Sequence, residues 1–238
     1  MLRYVLAALL LPFPAIAGPR IAAVDAVVDP VIGGDTPGLA VLVTGQGRTL
    51  HMAGYGLADL ETAEPVTEES IFDLASVSKQ MTALLVAMQM EEGSYGADTP
   101  VADLLAALEE GDTQRPLTVG DLVHHLGGLP DYLNGSLDYD GATTNADVIA
   151  WLGGEDREAE PGAVFAYSNT GYAALGAMVA ATDGMESLGD VLEMRVWGPL
   201  GMTDTALLGP ADAGLAVTGY AGTGGDFTPA LDRKSTRL

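Results

Sequence analysis

Ser76 and Lys79, three residues apart, are a potential nucleophile and a potential base that could act on each other. Apolar residues at helical spacing follow them, and Glu91-Glu92-Gly93 ends that pattern, so Ser76 is predicted to open a helix. Residues three apart share a helix face, which brings the Lys79 amine within reach of the Ser76 hydroxyl. A serine hydroxyl needs a neighbouring base and a positive field to become a nucleophile, and a helix N-terminus adds such a field. The pair therefore predicts an activated serine.

The spacing alone leaves a structural alternative open. A helix start followed by a solvated lysine would contain the same short pattern. Lys79 is, however, the only lysine before position 234. The α/β-hydrolase route to an activated serine requires a Gly-x-Ser-x-Gly turn, and no serine of the chain lies in one. Residues further along the chain must decide between a nucleophile and a helix cap.

Two tyrosine-x-asparagine pairs could supply further polar groups. Tyr132 and Asn134 lie in a loop rich in glycine and proline, whereas Tyr167 and Asn169 lie between an extended segment and a predicted helix. The second pair also belongs to a longer motif, so it is favoured. Tyr172, on the helix that follows, is expected to pack on its own helix.

The remaining residue patterns give no sign of a cofactor or a metal. His51, His124 and His125 do not have metal-ligand spacing, so they are interpreted as surface or core histidines. Gly45-x-Gly47 lacks the third glycine of a dinucleotide fingerprint and is interpreted as a hairpin turn. The chain has no cysteine, which excludes disulfides, thiol chemistry and cysteine-bound zinc.

Acidic residues dominate the composition, with 33 Asp and Glu against 10 Lys and Arg, for a net charge of −23. Such a charge argues against nucleic acid and against an anionic membrane surface as partners. Loss of residues 1–17 would remove Arg3 and no acid, so that −23 becomes −24. The sequence itself does not indicate an oligomeric state.

Both ends of the chain carry patterns that are set apart from the fold. Residues 1–17 combine Arg3, a short apolar run and Ala15-Ile16-Ala17, which predicts a signal peptide and a periplasmic or secreted protein. A retained anchor is the alternative, but the run is too short to span a bilayer and no cysteine offers a lipid site, so no stable membrane anchor is expected. Residues 18–232 are predicted to form one domain. Residues 233–238 are basic and are interpreted as a non-native tail, with a native basic tail as the alternative.

Hydrophobic periodicity predicts a chain with both helices and strands. Residues 38–44 and 49–57 are predicted to be strands of a hairpin, and residues 161–169 to be extended. Besides the Ser76 helix, helices are predicted within 19–33 and over 101–108, 117–125, 146–152, 170–182 and 188–196.

Four stretches, in order, resemble the serine β-lactamase and penicillin-binding-protein superfamily, in its branch of class C β-lactamases, D-alanyl-D-alanine carboxypeptidases and related esterases. They are Phe72-Asp73-Leu74-Ala75-Ser76-Val77-Ser78-Lys79, His125-Leu126-Gly127-Gly128-Leu129-Pro130-Asp131-Tyr132, the segment from Pro161-Gly162 to Tyr167-Ser168-Asn169-Thr170-Gly171-Tyr172, and Pro199-Leu200-Gly201-Met202. Leu126-Gly127 stands where the family usually has threonine and serine. The resemblance implies an α+β fold, with an antiparallel β-sheet flanked by helices and a helical subdomain.

The resemblance also implies roles at the site. Ser76 would attack a carbonyl and form an acyl-enzyme, with Lys79 holding its hydroxyl and sharing the proton. Tyr167 would relay the proton, and the charge of Lys79 would favour its phenolate. Asn169 would bind the substrate's amide and help to position Lys79, and the backbone N–H of Ser76 would form half of an oxyanion hole. Whether Lys79 or Tyr167 is the base stays open, because coupled groups share their titration.

The implied reaction is hydrolysis of an amide, a β-lactam or an ester, so the expected partner is a small molecule or a peptidoglycan peptide. The family's late strand with a lysine- or histidine-x-glycine motif, which supplies the second oxyanion N–H, is not found after Gly219-Tyr220. Losing one oxyanion donor costs about a hundredfold or more in rate. The 238-residue chain is therefore expected to be C-terminally incomplete and inactive or poorly folded, and a longer product to be active. A catalytically idle binding protein of the same fold is the alternative.

Overall fold

The computed structural model describes residues 19–108, 113–138, 143–207 and 216–230. The predicted signal peptide over 1–17 and the predicted tail over 233–238 lie outside these ranges. The described chain forms two compact units, one from residues up to 70 together with 217–230, and one from residues 71–216. The predicted α+β fold class is confirmed, with small antiparallel sheets and helices.

The described residues of the first unit form one helix and three antiparallel strand pairs. Helix α1 spans Ala22–Val28, and the strand pairs are β1 (Leu39–Gly45) with β2 (Arg48–Tyr55), β3 (Leu57–Asp59) with β4 (Glu64–Pro65), and β5 (Tyr220–Thr223) with β6 (Asp226–Pro229). Gln46 and Gly47 both have positive φ, of 52° and 71°, as a tight hairpin turn between twisted strands requires. The predicted hairpin is therefore confirmed.

A buried histidine joins the start of the first unit to strand β2. His51 is fully buried, and its Nδ1 accepts the backbone N–H of Ile21 at 2.9 Å. Its Nε2 lies 2.9 Å from the Tyr55 hydroxyl, which donates to Asp25 at 2.7 Å. His51 is thus a core histidine, one of the two outcomes that the sequence predicts for it.

The second unit is helical. Its helices are α2 (Lys79–Glu91), α3 (Val101–Leu104), α4 (Val119–Val123), α5 (Asn145–Leu152), α6 (Asn169–Asp183), α7 (Leu188–Leu192) and α8 (Gly198–Leu200), with a 3₁₀ turn over Ala75–Ser78 before α2 and a π-helical turn over Glu193–Trp197 after α7. Among its described residues, no helix is long and apolar enough to cross a membrane.

Several predicted helix boundaries differ from the structure, and the helix predicted over 117–125 spans only Val119–Val123 because Thr118 caps it by accepting the N–H of Asp121. The helix predicted over 101–108 ends at Leu104, because Leu105 leaves the helical region and Leu108 turns into the core instead. Ser76 lies in the 3₁₀ turn rather than in the α-helix, which starts at Lys79. Asn169 is the first residue of α6 and not the end of the extended segment, because Ser168 caps the helix by accepting the N–H of Gly171.

Helix α6 forms the centre of the second unit, where 11 of its 15 residues are buried. It runs parallel to α2, since the two helices are joined near both ends. Lys79 donates to Asn169 at the two N-terminal ends, and Gln89 donates to the carbonyl of Val179 near the C-terminal ends. This pairing places the N-termini of two long helices side by side.

Backbone hydrogen bonds join the second motif to the start of the third motif and to the residues just before it. The N–H groups of Glu158 and Gly162 donate to the carbonyls of Gly128 and Leu126, at 2.9 and 2.7 Å. Gly128 has φ of 62°, and a β-carbon there would lie 2.1 Å from a backbone oxygen of the facing segment. The close approach of these two segments therefore requires glycine at position 128.

Candidate active site

Ser76 lies exposed in the 3₁₀ turn that leads into α2. The residue before it, Ala75, has φ of 43°, a left-handed conformation that costs a residue with a β-carbon about 1–2 kcal/mol. Asp73 stabilises the turn, because its carboxylate accepts the N–H of Ala75 at 2.8 Å. Backbone strain beside a reactive side chain is a common feature of functional sites.

Lys79 is the first residue of α2, and it is buried, with 6% of its surface exposed. Its Nζ donates to Asn169 Oδ1 at 2.8 Å and to Ser76 Oγ at 3.4 Å. The alternative of a solvated lysine is therefore wrong. The amine lies one turn above the serine, as the spacing of the two residues predicts.

Tyr167 reaches the serine from the segment that precedes α6. Its hydroxyl donates to Ser76 Oγ at 2.7 Å, although the two residues are 91 positions apart. The Lys79 Nζ lies 4.9 Å from the centre of the Tyr167 ring. The structure thus brings the three predicted catalytic residues together around one oxygen atom.

Asn169 contacts Lys79 and is itself oriented by Asp131. The Asp131 carboxylate accepts both the backbone N–H and the side-chain Nδ2–H of Asn169, at 2.9 and 3.0 Å. This leaves Asn169 Oδ1 directed towards Lys79. Because a rotated amide would present its N–H₂ group to the ammonium, Asp131 determines which end of Asn169 the lysine meets.

Neither Asp131 nor His125 is predicted from the sequence to be a site residue. Asp131 lies in the quoted second motif, and so does His125, whose ring lies against Tyr167 with 4.6 Å between ring centres. Membership of that motif was the signal that could have found both residues. Their partners lie about 40 residues away in sequence, and no local pattern reveals such contacts.

The other tyrosines and histidines take the places that the sequence favours for them. Tyr132, of the competing tyrosine-x-asparagine pair, is buried and packs against Val148 and Ala173. Tyr172 is buried on α6 and donates to a backbone carbonyl of α4. His124 is exposed. In the described ranges, no group of three or more histidine, aspartate or glutamate side chains is arranged to hold a metal ion.

Two helix N-termini add a positive field to this arrangement. Lys79 opens α2, of 13 residues, and Asn169 opens α6, of 15 residues. Each such terminus carries roughly half a positive charge. Together with the Lys79 ammonium, they favour negative charge on an oxygen atom near Ser76. The arrangement can therefore activate a hydroxyl and stabilise an oxyanion.

Comparison with known proteins agrees with this chemistry. The family model "Beta-lactamase" matches residues 24–236. The chain is 32% identical over 203 residues to "Penicillin-binding protein 4" of Amycolatopsis lactamdurans, which covers 82% of this chain and 51% of that protein. It is 30% identical over 203 residues to "D-aminopeptidase" of Brucella anthropi, covering 83% of this chain and 38% of that protein.

A solved structure described as "A class C beta-lactamase" has the same fold, with a TM-score of 0.72 and 25% identity over 91% of this chain and 58% of that one. The chain spans about half the length, or less, of the curated relatives named above. The family match covers most of the chain and includes Ser76, Lys79, Tyr167 and Asn169. The chain therefore belongs to the β-lactamase family of serine hydrolases and penicillin-binding proteins.

Proposed function

We propose that this protein is a serine hydrolase that works through an acyl-enzyme on an amide, a β-lactam or an ester. The observation that carries the proposal is the convergence of Lys79 Nζ and Tyr167 Oη on Ser76 Oγ, at 3.4 and 2.7 Å. The names of its relatives, among them a penicillin-binding protein, a D-aminopeptidase and an esterase, support acyl transfer as the reaction class.

In the first half of the reaction, Ser76 Oγ forms a bond to the substrate's carbonyl carbon, and the carbonyl π electrons move to its oxygen. The hydroxyl proton passes to the coupled pair of Lys79 and Tyr167, which accepts it in the form that carries one proton fewer than an ammonium and a phenol together. When the tetrahedral intermediate collapses, the bond to the leaving amine or alkoxide breaks, and the pair returns the proton to that group. A water molecule then attacks the acyl-enzyme by the same route, which restores Ser76 and releases the acid.

Asn169 has a defined part in this proposal. Its Oδ1 holds the buried Lys79 ammonium, while Asp131 occupies one N–H of its amide. The second N–H of the Nδ2 group is the donor that we assign to the substrate's amide carbonyl. The position of the lysine and the recognition of substrate therefore depend on the same side chain.

A catalytically idle binding protein is the competing function. A binding protein has no need of a buried ammonium beside a serine, because desolvating a charge is costly unless it is used or paired. The site as built therefore favours hydrolysis. We further propose that the protein is exported, on the basis of the leader pattern in residues 1–17. N-terminal sequencing of protein recovered from outside the cytoplasm would reveal cleavage near residue 17.

Covalent labelling of Ser76 tests the proposed function. The purified chain is incubated with a fluorophosphonate or a fluorescent penicillin, and its intact mass and labelled peptide are determined. One slow turnover suffices for this readout, so labelling is detectable even if the rate is low. We expect one adduct on Ser76, which Ser76→Ala abolishes and Ser78→Ala, in the same turn, retains. A folded chain without Ser76-dependent labelling would overturn the proposal.

A further inference from the structure

His125 makes three contacts with the segment that carries Tyr167. Its backbone carbonyl accepts the N–H of Ala166 at 2.9 Å, and its Nδ1 accepts the N–H of Ser168 at 3.1 Å. Its ring lies against the Tyr167 ring, with 4.6 Å between centres and 33° between planes. The residues on both sides of Tyr167 are therefore hydrogen-bonded to one histidine, which also packs on the phenol.

The backbone of His125 supports this role. Its φ is 58°, a left-handed conformation that is uncommon for a residue with a β-carbon. Such a conformation persists where the surroundings over-determine it, and it is concentrated at functional sites. The N–H of His125 bonds to the Leu122 carbonyl at the end of α4, which anchors the turn on its other side.

The contacts of the ring require the neutral imidazole. Because Nδ1 accepts the Ser168 N–H, the single ring proton of the neutral form lies on Nε2. A second proton on Nδ1 would face the amide hydrogen and break this bond. Burial, followed by the nearby charge of Lys79, lowers the pKa of His125. The Tyr172 ring, on α6, also lies against the His125 ring, with 5.0 Å between ring centres.

We propose that neutral His125 is a positioning residue that holds the Tyr167 phenol against Ser76, so that a proton on its ring releases the phenol and stops acylation. This inference rests on the proposed function. The loop of the second motif, through His125, then fixes the position of Tyr167. The hydrogen bond from the Ser168 N–H to His125 Nδ1 breaks when the ring is protonated, and its loss lets the neighbouring Tyr167 move away from Ser76.

The pH profile of acylation tests the inference. The rate of Ser76 labelling is measured between pH 4.5 and 8 for the wild type, His125→Asn and the neighbouring control His124→Asn. Asparagine offers an acceptor near the place of Nδ1, tolerates positive φ and does not titrate. We expect the wild-type rate to fall in acid by up to about tenfold per pH unit once His125 protonates. His124→Asn should keep the wild-type rate at pH 7.5 and this fall in acid. His125→Asn, which also loses the ring contact with Tyr167, should be slower than wild type at pH 7.5 and should lose the fall in acid.

The outcomes separate this inference from the proposed function. An acid fall that is unchanged in His125→Asn would belong to the Lys79 and Tyr167 pair and would overturn the inference, while Ser76 labelling itself would stand. An independent readout is the NMR signal of the Ser168 amide, which should shift in acid with the same midpoint as the His125 ring protons. A Ser168 amide that does not follow His125 would overturn the inference even if the serine were unreactive.

Discussion

Replacing Asp131 with asparagine removes a negative charge from the candidate site and leaves the side chain almost the same size. Asp131 accepts three hydrogen bonds, from the N–H and Nδ2–H of Asn169 and from the N–H of Leu133 at 3.0 Å. The asparagine has one acceptor oxygen, so its N–H₂ group must face either the Asn169 donors or the Leu133 donor. In both orientations at least one bond is lost and the others lose their charge.

The size of the effect follows from these three bonds. A hydrogen bond to a charged group contributes about 1.5–3 kcal/mol and a neutral one about 0.5–1.5 kcal/mol, so Asp131→Asn should lower the free energy of unfolding by about 3 kcal/mol. For a chain of this size, that corresponds to a decrease in Tm of about 6–12 °C. Where Asn169 turns its amide in response, Lys79 loses its acceptor, and acylation should slow about tenfold or more.

Thermal unfolding and the rate of Ser76 labelling measure the two effects. Asp138→Asn is the matched control, because Asp138 is an exposed carboxylate of the same loop. The control should resemble wild type in both measurements. If Asp131→Asn melted with the control and labelled at the same rate, the orientation of Asn169 by Asp131 would be refuted.

Two further predictions concern the scaffold of the second unit. Gly128→Ala should lower the free energy of unfolding in urea by several kcal/mol more than Gly184→Ala. Both glycines have positive φ, but of the two only a β-carbon at position 128 would meet backbone atoms within 4 Å. Equal losses in the two variants would contradict the close approach at Gly128. Burial opposes ionisation of Asp121, but hydrogen bonds from Arg115 and Thr118 outweigh it and lower the pKa of Asp121. The stability that these bonds contribute is present above the unfolded-state pKa of about 3.9 and is lost as the pH falls through the lower folded-state pKa. Asp121→Asn should therefore reduce the loss of stability that the wild type shows below about pH 4. An unchanged dependence of stability on pH in this range would contradict the prediction.

Local signals explain which parts of the fold could be predicted from the sequence. The turn at Gln46-Gly47 acts within a few residues, and the hairpin follows directly from it, whereas periodicity places the start of α4 two residues before Val119. Periodicity could not predict that α3 ends at Leu104, because burial of Leu108 in the core competes with continuation of the helix. Tertiary packing overrides propensity in such short segments.

The contacts of the candidate site likewise include some that local spacing predicts and others that it does not. The spacing of Ser76 and Lys79 predicts their contact because both lie on successive turns of chain. The approach of Tyr167 could be expected only from the family resemblance, since 91 positions separate it from the serine. Two further contacts depend on how the loop of the second motif packs against the start of α6. They are the hydrogen bonds from Asn169 to Asp131 and from Ser168 to His125, and neither composition nor residue spacing predicts them.

The role of Tyr167 is tested most directly by the single-turnover acylation rate of Tyr167→Phe beside that of Tyr132→Phe. Both changes remove one hydroxyl from a tyrosine-x-asparagine pair and keep the ring. Proton transfer by a positioned group contributes about a hundredfold or more, so Tyr167→Phe should slow acylation of Ser76 by that factor. Tyr132→Phe should leave the rate within a few fold of wild type. Equal rates in the two variants would contradict a proton relay through Tyr167.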